Sequence, residues 1–112
     1  MMNEKLIETM KTTATEVVNY FNNDFSMNDI ATMQSCEYDK PHTSYIVELT
    51  AFETTVDIIY IFDDDKIIVH DCDNNRDVMN LNSNDVIDLS LAVYHYLYLM
   101  HDIFATDINF LL

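Results

Sequence analysis

The sequence predicts an α+β fold: an N-terminal helix, a three- or four-stranded antiparallel β-meander, and a long C-terminal helix packed on one sheet face. Near both ends of the chain, apolar residues recur at spacings of three and four, which is typical of helices. The middle of the chain is rich in β-branched and aromatic residues, interrupted by short polar runs, as in hairpin-connected strands. With 112 residues, 49% of them hydrophobic, the chain is expected to form a single domain, residues 1–112.

The first helix is predicted over residues 3–22. Asn3 is a suitable N-cap, and Glu4 favours the first turn. One face carries the apolar residues of this segment, namely Leu6, Ile7, Met10, Ala14, Val17, Val18 and Phe21. Residues 22–24 are predicted to end the helix in place of the glycine that this sequence lacks.

Residues 25–38 fit two structures. Ser26 and Asp29 could cap a short helix, whereas the segment from Ile30 to Tyr38 could equally form an edge strand. The stretch around Pro41 is predicted to be a turn.

The strands are predicted at residues 43–52, 55–62 and 66–72. Polar breaks at residues 53–54 and 63–65 connect them as hairpins. One face of the second strand is predicted to carry Val56, Ile58, Tyr60 and Phe62. A short run at residues 78–81 could add a fourth strand.

The second helix is predicted over about residues 85–104, capped by Asn82, Ser83 or Asn84, with Asp85 in its first turn. It is apolar almost all round, so most of its sides should be buried. A domain this small rarely encloses such a helix completely, and part of it could face a partner subunit. The candidate oligomer interface consists of large residues on this helix: Tyr94, Tyr96, Tyr98 and Met100.

The charge balance is the most unusual property of the chain. Twenty carboxylates face five Lys and Arg residues, which gives a net charge of −15. Such a surface repels nucleic acid and anionic membranes, so we expect a positively charged protein as the partner. Glycine is absent and there is one proline, as in AT-rich genomes. That bias should also enrich lysine, which is scarce here, so the acidity indicates selection.

We expect a cytoplasmic protein without a membrane span or secretory signal. The chain has no apolar run of 18 residues, and charged residues interrupt the segment from Met1 to Met10. Cys36 and Cys72 are expected to be reduced thiols.

The lack of glycine argues against phosphate-binding loops, dinucleotide sites and nucleophile elbows, because these require positive φ or a close backbone approach. Carboxylates are also so common that spacing singles out no catalytic pair. We therefore expect no enzyme, no catalytic residue and no cofactor. Four residues alternate as in a calcium-binding loop: Asp71, Asp73, Asn75 and Asp77. Arg76 stands where that loop requires glycine, and Asn82 where it requires glutamate, so we expect no metal. The pairs His70/Cys72 and Cys36/His42 lack the spacing of common zinc sites.

The carboxylates are densest between residues 53 and 77, and the hairpins are expected to gather several of them at one end of the sheet. The candidate partner-binding residues are Glu53, Asp57, Asp63, Asp64, Asp65, Asp71, Asp73 and Asp77. Alternate residues on a strand lie about 6.6–6.8 Å apart, a spacing broadly similar to that of successive phosphates. Such an array could occupy a groove lined with Arg and Lys.

In size, charge and order of elements, the chain resembles the small acidic phage-encoded inhibitors that imitate DNA, which include anti-restriction proteins, uracil-DNA glycosylase inhibitors and anti-CRISPR proteins. The resemblance implies a non-enzymatic inhibitor of a nucleic-acid-processing enzyme, such as a CRISPR or restriction nuclease, acting in the host bacterial cytoplasm. Two alternatives stay open. The protein could be an antitoxin or immunity protein that caps a cationic toxin, or an oligomeric structural protein, such as a homodimer, built through the second helix.

Overall fold

The computed structural model describes residues 4–24, 31–82 and 89–111, with side chains in the last helix as far as residue 101. Its elements in chain order are α1 (Glu4–Asp24), β1 (Ala31–Tyr38), β2 (Ser44–Ala51), β3 (Thr54–Ile61), β4 (Lys66–Asp71), β5 (Arg76–Asn82) and α2 (Leu89–Leu111). The strands form one sheet in the order β1-β2-β3-β4-β5, and every neighbouring pair is antiparallel. The predicted α+β class is confirmed, with five strands instead of three or four.

The two strands that the sequence left uncertain, β1 and β5, lie at the edges of the sheet. The register shifts between Met33 and Ser35 in β1, and between Val69 and His70 where β4 pairs with β5. These bulges interrupt the alternation of buried and exposed side chains by which strands are recognised in a sequence. The helix caps predicted at Asn3, Ser26 and residues 83–84 lie outside the described residues, whereas Asn82 is the last residue of β5.

The predicted apolar face of α1 is confirmed, since six of its residues are buried in the core: Leu6, Ile7, Met10, Ala14, Val17 and Phe21. The helix ends at Asp24, within residues 22–24 that were predicted to end it. The Asn22 side chain then pairs with the backbone of Ala31: its Nδ2 donates to the carbonyl at 3.2 Å, and its Oδ1 accepts from the amide at 3.0 Å. Asn22 thereby holds the end of α1 against the start of β1.

Both helices pack on the same face of the sheet. Leu89, Val93 and Leu97 of α2 join the residues of α1 and the sheet in a single buried cluster. On this covered face, side chains stand in rows across β2, β3 and β4: Tyr45–Tyr60–Ile67, Val47–Ile58–Val69 and Leu49–Val56–Asp71. No helix in the described part of the chain is long and apolar enough to cross a lipid bilayer.

The opposite side of the sheet, here called the open face, carries the alternate residues of the same strands. Apart from the buried Ser44, its side chains on β2, β3 and β4 are half-buried. They include Ile46, Glu48 and Thr50 on β2, Thr55, Asp57, Ile59 and Ile61 on β3, and Ile68 and His70 on β4.

Each of the four hairpin turns contains one non-glycine residue with positive φ: His42 (59°), Phe52 (57°), Asp65 (49°) and Asn75 (51°). This conformation costs most residues about 1–2 kcal/mol, and Asn and Asp adopt it more readily. Phe52 is the most constrained of the four because its ring is bulky. That ring stacks on His101 with centroids 3.7 Å apart and meets Phe21 edge-on at 5.5 Å, so packing offsets the backbone strain.

The Asp39 carboxylate holds the turn between β1 and β2. It accepts hydrogen bonds from the Thr43 amide at 2.7 Å, the Thr43 hydroxyl at 2.6 Å and the Ser44 amide at 2.9 Å. The Thr43 hydroxyl and the Ser44 amide stabilise the ionised form and lower the pKa of Asp39 to about 2.

Candidate functional site

The eight acidic residues predicted to bind a partner are divided between the two ends of the sheet and its two faces. Asp63, Asp64 and Asp65 form the turn between β3 and β4, whereas Glu53 and Asp73 lie in turns at the opposite end. The eight residues of β3 separate these ends by about 25 Å. The hairpins do gather several carboxylates at one end, namely Asp63, Asp64 and Asp65. Glu53 and Asp73 lie at the other end.

The turn carboxylates are the most exposed members of the set. Asp63 and Asp64 are exposed at one end, and Glu53 is exposed at the other. Asp65 is also exposed and accepts a hydrogen bond from the Tyr60 hydroxyl at 2.8 Å. The Oδ2 of Asp73 accepts from the Thr55 amide at 2.8 Å, which holds one turn against the next strand.

Asp71 does not belong to this surface, because its side chain is fully buried on the covered face. Its Oδ1 accepts from the amides of Asp73 at 3.0 Å and Asn74 at 3.1 Å. Its Oδ2 accepts from the Asn74 side chain at 2.8 Å and from the Tyr96 hydroxyl. Burial alone would raise the pKa of Asp71, but the hydrogen bonds from Tyr96 and Asn74 outweigh it, so the pKa is lowered. The prediction of Asp71 as a partner contact is corrected: it is a structural carboxylate.

Asp57 lies on the open face directly opposite Glu48 of the neighbouring strand. Its Oδ1 is buried and accepts no hydrogen bond. Burial and the Asp57 charge raise the pKa of Glu48. Burial, with the same carboxylate nearby, raises the pKa of Cys72 to about 12, so this thiol is protonated at neutral pH.

Glu48, Asp57 and Cys72 are the group within the described residues that could hold a metal ion, since one donor atom from each lies within 4.8 Å of the others. The Cys72 thiol carries its proton in the metal-free protein, so a metal ion would have to displace that proton. The calcium-loop pattern is not assembled into a common site. Its Asp71 points into the core, Asp73 accepts from Thr55, and Asp77 bonds His70 at 2.8 Å.

Beside the carboxylates, the open face carries an apolar block. Ile46, Ile59 and Ile68 stand in direct register across three strands, and Ile61 follows on β3. The next row along the same strands is Glu48–Asp57–His70, extended by Asp77 on β5. Sequence reasoning missed Glu48 because it precedes the dense acidic segment, and only the strand register brings it against Asp57.

The predicted oligomer residues on α2 do not share one exposed surface. Tyr98 is 40% exposed, whereas Tyr94, Tyr96 and Met100 are half-buried. The Tyr94 ring packs on Phe21 with centroids 4.6 Å apart. Among the side chains of this helix up to residue 101, the largest apolar exposures belong instead to Leu91 (51%) and Leu99 (54%).

Comparison of the chain with protein-family models, curated proteins and solved structures gives no match. Its function is therefore inferred from the charge and geometry of its own residues.

Proposed function

We propose that this protein is a non-enzymatic inhibitor that binds the basic nucleic-acid-binding surface of a nuclease by imitating DNA, in the cytoplasm of a bacterial host. The observation that carries this proposal is the charge: twenty carboxylates against five cations. Asp63 and Asp64 are exposed in a turn at one end of the sheet, and Glu53 and Asp73 are exposed in turns at the other end. These groups take the place of phosphates at Arg and Lys residues that normally hold DNA.

Electrostatics supports a cationic protein as the partner. Net charge of one sign speeds encounter with the opposite sign and repels anions, so the protein competes with DNA instead of binding it. The carboxylates at the two ends of the sheet could contact two separate basic patches. Binding of this kind weakens as salt rises, because ions screen exposed charges over about 8–10 Å at physiological strength.

The first experiment identifies the target by affinity pull-down from host lysate at low and at high salt. We expect a basic, nucleic-acid-handling protein that is retained at low salt and released at high salt. Recovery of no such protein at either salt concentration would count heavily against DNA imitation.

The second experiment reverses the charge of the turn between β3 and β4. Replacing Asp63 and Asp64 with Lys should abolish competition with DNA for the nuclease without unfolding the domain, because Asp65, which accepts from the Tyr60 hydroxyl, is kept. The matched control reverses Glu4 and Glu8 on α1, which changes the net charge equally and should leave most of the inhibition. If the turn variant inhibits normally, the proposed contact surface is wrong.

An antitoxin or immunity protein that neutralises a cationic toxin would use the same electrostatics. A toxin gene beside this one favours immunity, whereas a phage operon favours inhibition of a nuclease.

The exposure of Leu91, Tyr98 and Leu99 on α2 favours a further candidate, an oligomeric structural protein assembled through this helix. A dimeric inhibitor would use both this helix and the acidic surface. If sedimentation shows only monomer at tens of micromolar protein, the hypothesis of a homo-oligomer assembled through α2 is excluded.

A further inference from the structure

The Glu48–Asp57 pair on the open face places two carboxylates directly opposite each other on neighbouring strands. The two residues are cross-strand neighbours, and the charge of Asp57 raises the pKa of Glu48. Asp57 Oδ1 is buried and accepts no hydrogen bond. A buried carboxylate oxygen without a donor is costly, and it adds to the repulsion between the two carboxylates. Both residues are half-buried, so a cationic group that contacts their accessible atoms would relieve this repulsion.

The apolar block lies next to this pair. Ile46 and Ile59 are each two residues from Glu48 and Asp57 along the same strands, a separation of about 6.6–6.8 Å. A side chain with an aliphatic stem and a cationic head can span this distance, covering the isoleucines with its stem and reaching the carboxylates with its head.

We propose that the open face is a docking surface for a protein segment that places an arginine between Glu48 and Asp57 and aliphatic side chains over Ile46, Ile59 and Ile68. This inference rests on the proposed function only in requiring a cationic protein partner. It assigns the apolar part of the contact to the open face, in addition to the charged contacts of the turns.

Arginine fits the site better than the other cations. Its planar guanidinium has five N–H donors that can serve both carboxylates at once, and it is weakly hydrated. A second copy of this chain is disfavoured as the occupant, because two surfaces of net charge −15 repel each other.

The test uses ¹⁵N-labelled protein and two probe peptides, one of alternating arginine and leucine and one in which serine replaces each leucine. We expect the arginine–leucine peptide to shift the amide signals of residues 46–48, 57–59 and 68–70. We also expect it to bind about tenfold more tightly than the serine peptide, since the isoleucines contribute apolar contact.

Three single variants locate the contact. Asp57→Asn and Ile59→Thr should each weaken binding of the arginine–leucine peptide about tenfold. Glu4→Gln on α1, which removes one negative charge as Asp57→Asn does, should weaken it much less. Dispersed amide spectra establish that each variant is folded.

If the peptides shift only the amide signals of turn residues, and the open-face variants bind the arginine–leucine peptide normally, this inference is overturned while the proposed function stands. If neither peptide binds at low salt, both fail. A thiolate-to-metal absorption band on adding Co²⁺ to the wild type, lost in Cys72→Ser, would assign the group to a metal and also overturn the inference.

Discussion

The carboxylates on the two faces of the sheet differ in their hydrogen bonding and in the direction of their pKa shifts. On the covered face, Asp71 is fully buried and accepts hydrogen bonds from two backbone amides, the Asn74 side chain and the Tyr96 hydroxyl. On the open face, Glu48 and Asp57 are less buried, yet they repel each other and leave one buried oxygen without a donor. The pKa of Asp71 is lowered, and that of Glu48 is raised.

This contrast separates carboxylates that stabilise the fold from those available to a partner. Burial alone does not decide the matter, since the more deeply buried carboxylate is the better satisfied one. What distinguishes Asp71 is a set of donors supplied by its own turn and by α2. Replacing carboxylates on the two faces should therefore change stability in opposite directions.

The largest effect is expected from Asp71→Asn. In Asn, an NH₂ group replaces the oxygen that accepts from Asn74 and Tyr96, so both hydrogen bonds would be lost. The free energy of unfolding should therefore fall by about 2–4 kcal/mol. Urea denaturation near neutral pH measures the change. Asp64→Asn, an equal change of charge in an exposed turn, should alter stability little. Equal effects of the two variants would remove the distinction between the faces.

The Asp71 variant also has a pH signature. Because the folded-state pKa of Asp71 is lowered, its stabilisation is present above the unfolded-state pKa and is lost as pH falls through the folded value. The difference between wild type and Asp71→Asn should therefore narrow in acid. A difference that stays constant from neutral pH to acid would show that the ionised carboxylate contributes nothing.

Tyr96→Phe should destabilise the fold by a smaller amount, about 1.5 kcal/mol, because Asp71 keeps its other three donors. Tyr20→Phe is the matched control, since it removes the hydroxyl of a tyrosine that is 40% exposed. In a double-mutant cycle, Tyr96→Phe should cost less when Asp71 is already Asn. Strictly additive effects would contradict the coupling between α2 and the turn.

On the open face, Glu48→Gln should raise stability near neutral pH by about 0.5 kcal/mol, because it removes a like charge directly opposite Asp57. Because the folded-state pKa of Glu48 is raised, its ionised form destabilises the fold. This destabilisation is absent below the ordinary glutamate pKa and appears as pH rises through the folded-state pKa. The gain should thus vanish in acid. Glu53→Gln in an exposed turn is the control, and thermal melts across pH compare the two.

The smallest effect concerns the turn that supplies donors to Asp71. Asn75 has a φ of 51°, and glycine adopts this conformation more easily, so Asn75→Gly should stabilise the fold by a few tenths of a kcal/mol. A shift of the urea midpoint without a change in slope would show it. A lower midpoint would mean that the Asn75 side chain contributes more than its backbone conformation costs.

The sequence predicted the regular parts of the fold because each had a clear period. Buried and half-buried residues alternate along the central strands after the first residue of each, and α1 repeats its apolar residues at helical spacing. The edge strands β1 and β5 were uncertain because each pairs with a neighbour on one side only and bulges interrupt the alternation of buried and exposed residues. For the candidate site, charge density identified the exposed turns, but it could not tell which face each carboxylate occupies.

Two residues show what limited the prediction of the site. Asp71 follows Ile67 and Val69 at a spacing of two residues, so it lies on the same, buried side of β4. This spacing is visible in the sequence. Glu48 lies opposite Asp57 because of the register between β2 and β3, and the position of the hairpin turn sets that register. The turn occupies residues 52–53, one residue before the predicted break at 53–54. The first signal was present in the sequence, whereas the second required the structure.

The simple strand order has a consequence for folding kinetics. Each strand pairs with the next along the chain, so the sheet can assemble hairpin by hairpin at little cost in loop-closure entropy. Contact between α1 and α2, such as the edge-on packing of Tyr20 on Tyr94 at 5.7 Å, joins segments far apart in the chain. If that contact forms after the folding barrier, a substitution there will speed unfolding and leave the folding rate almost unchanged.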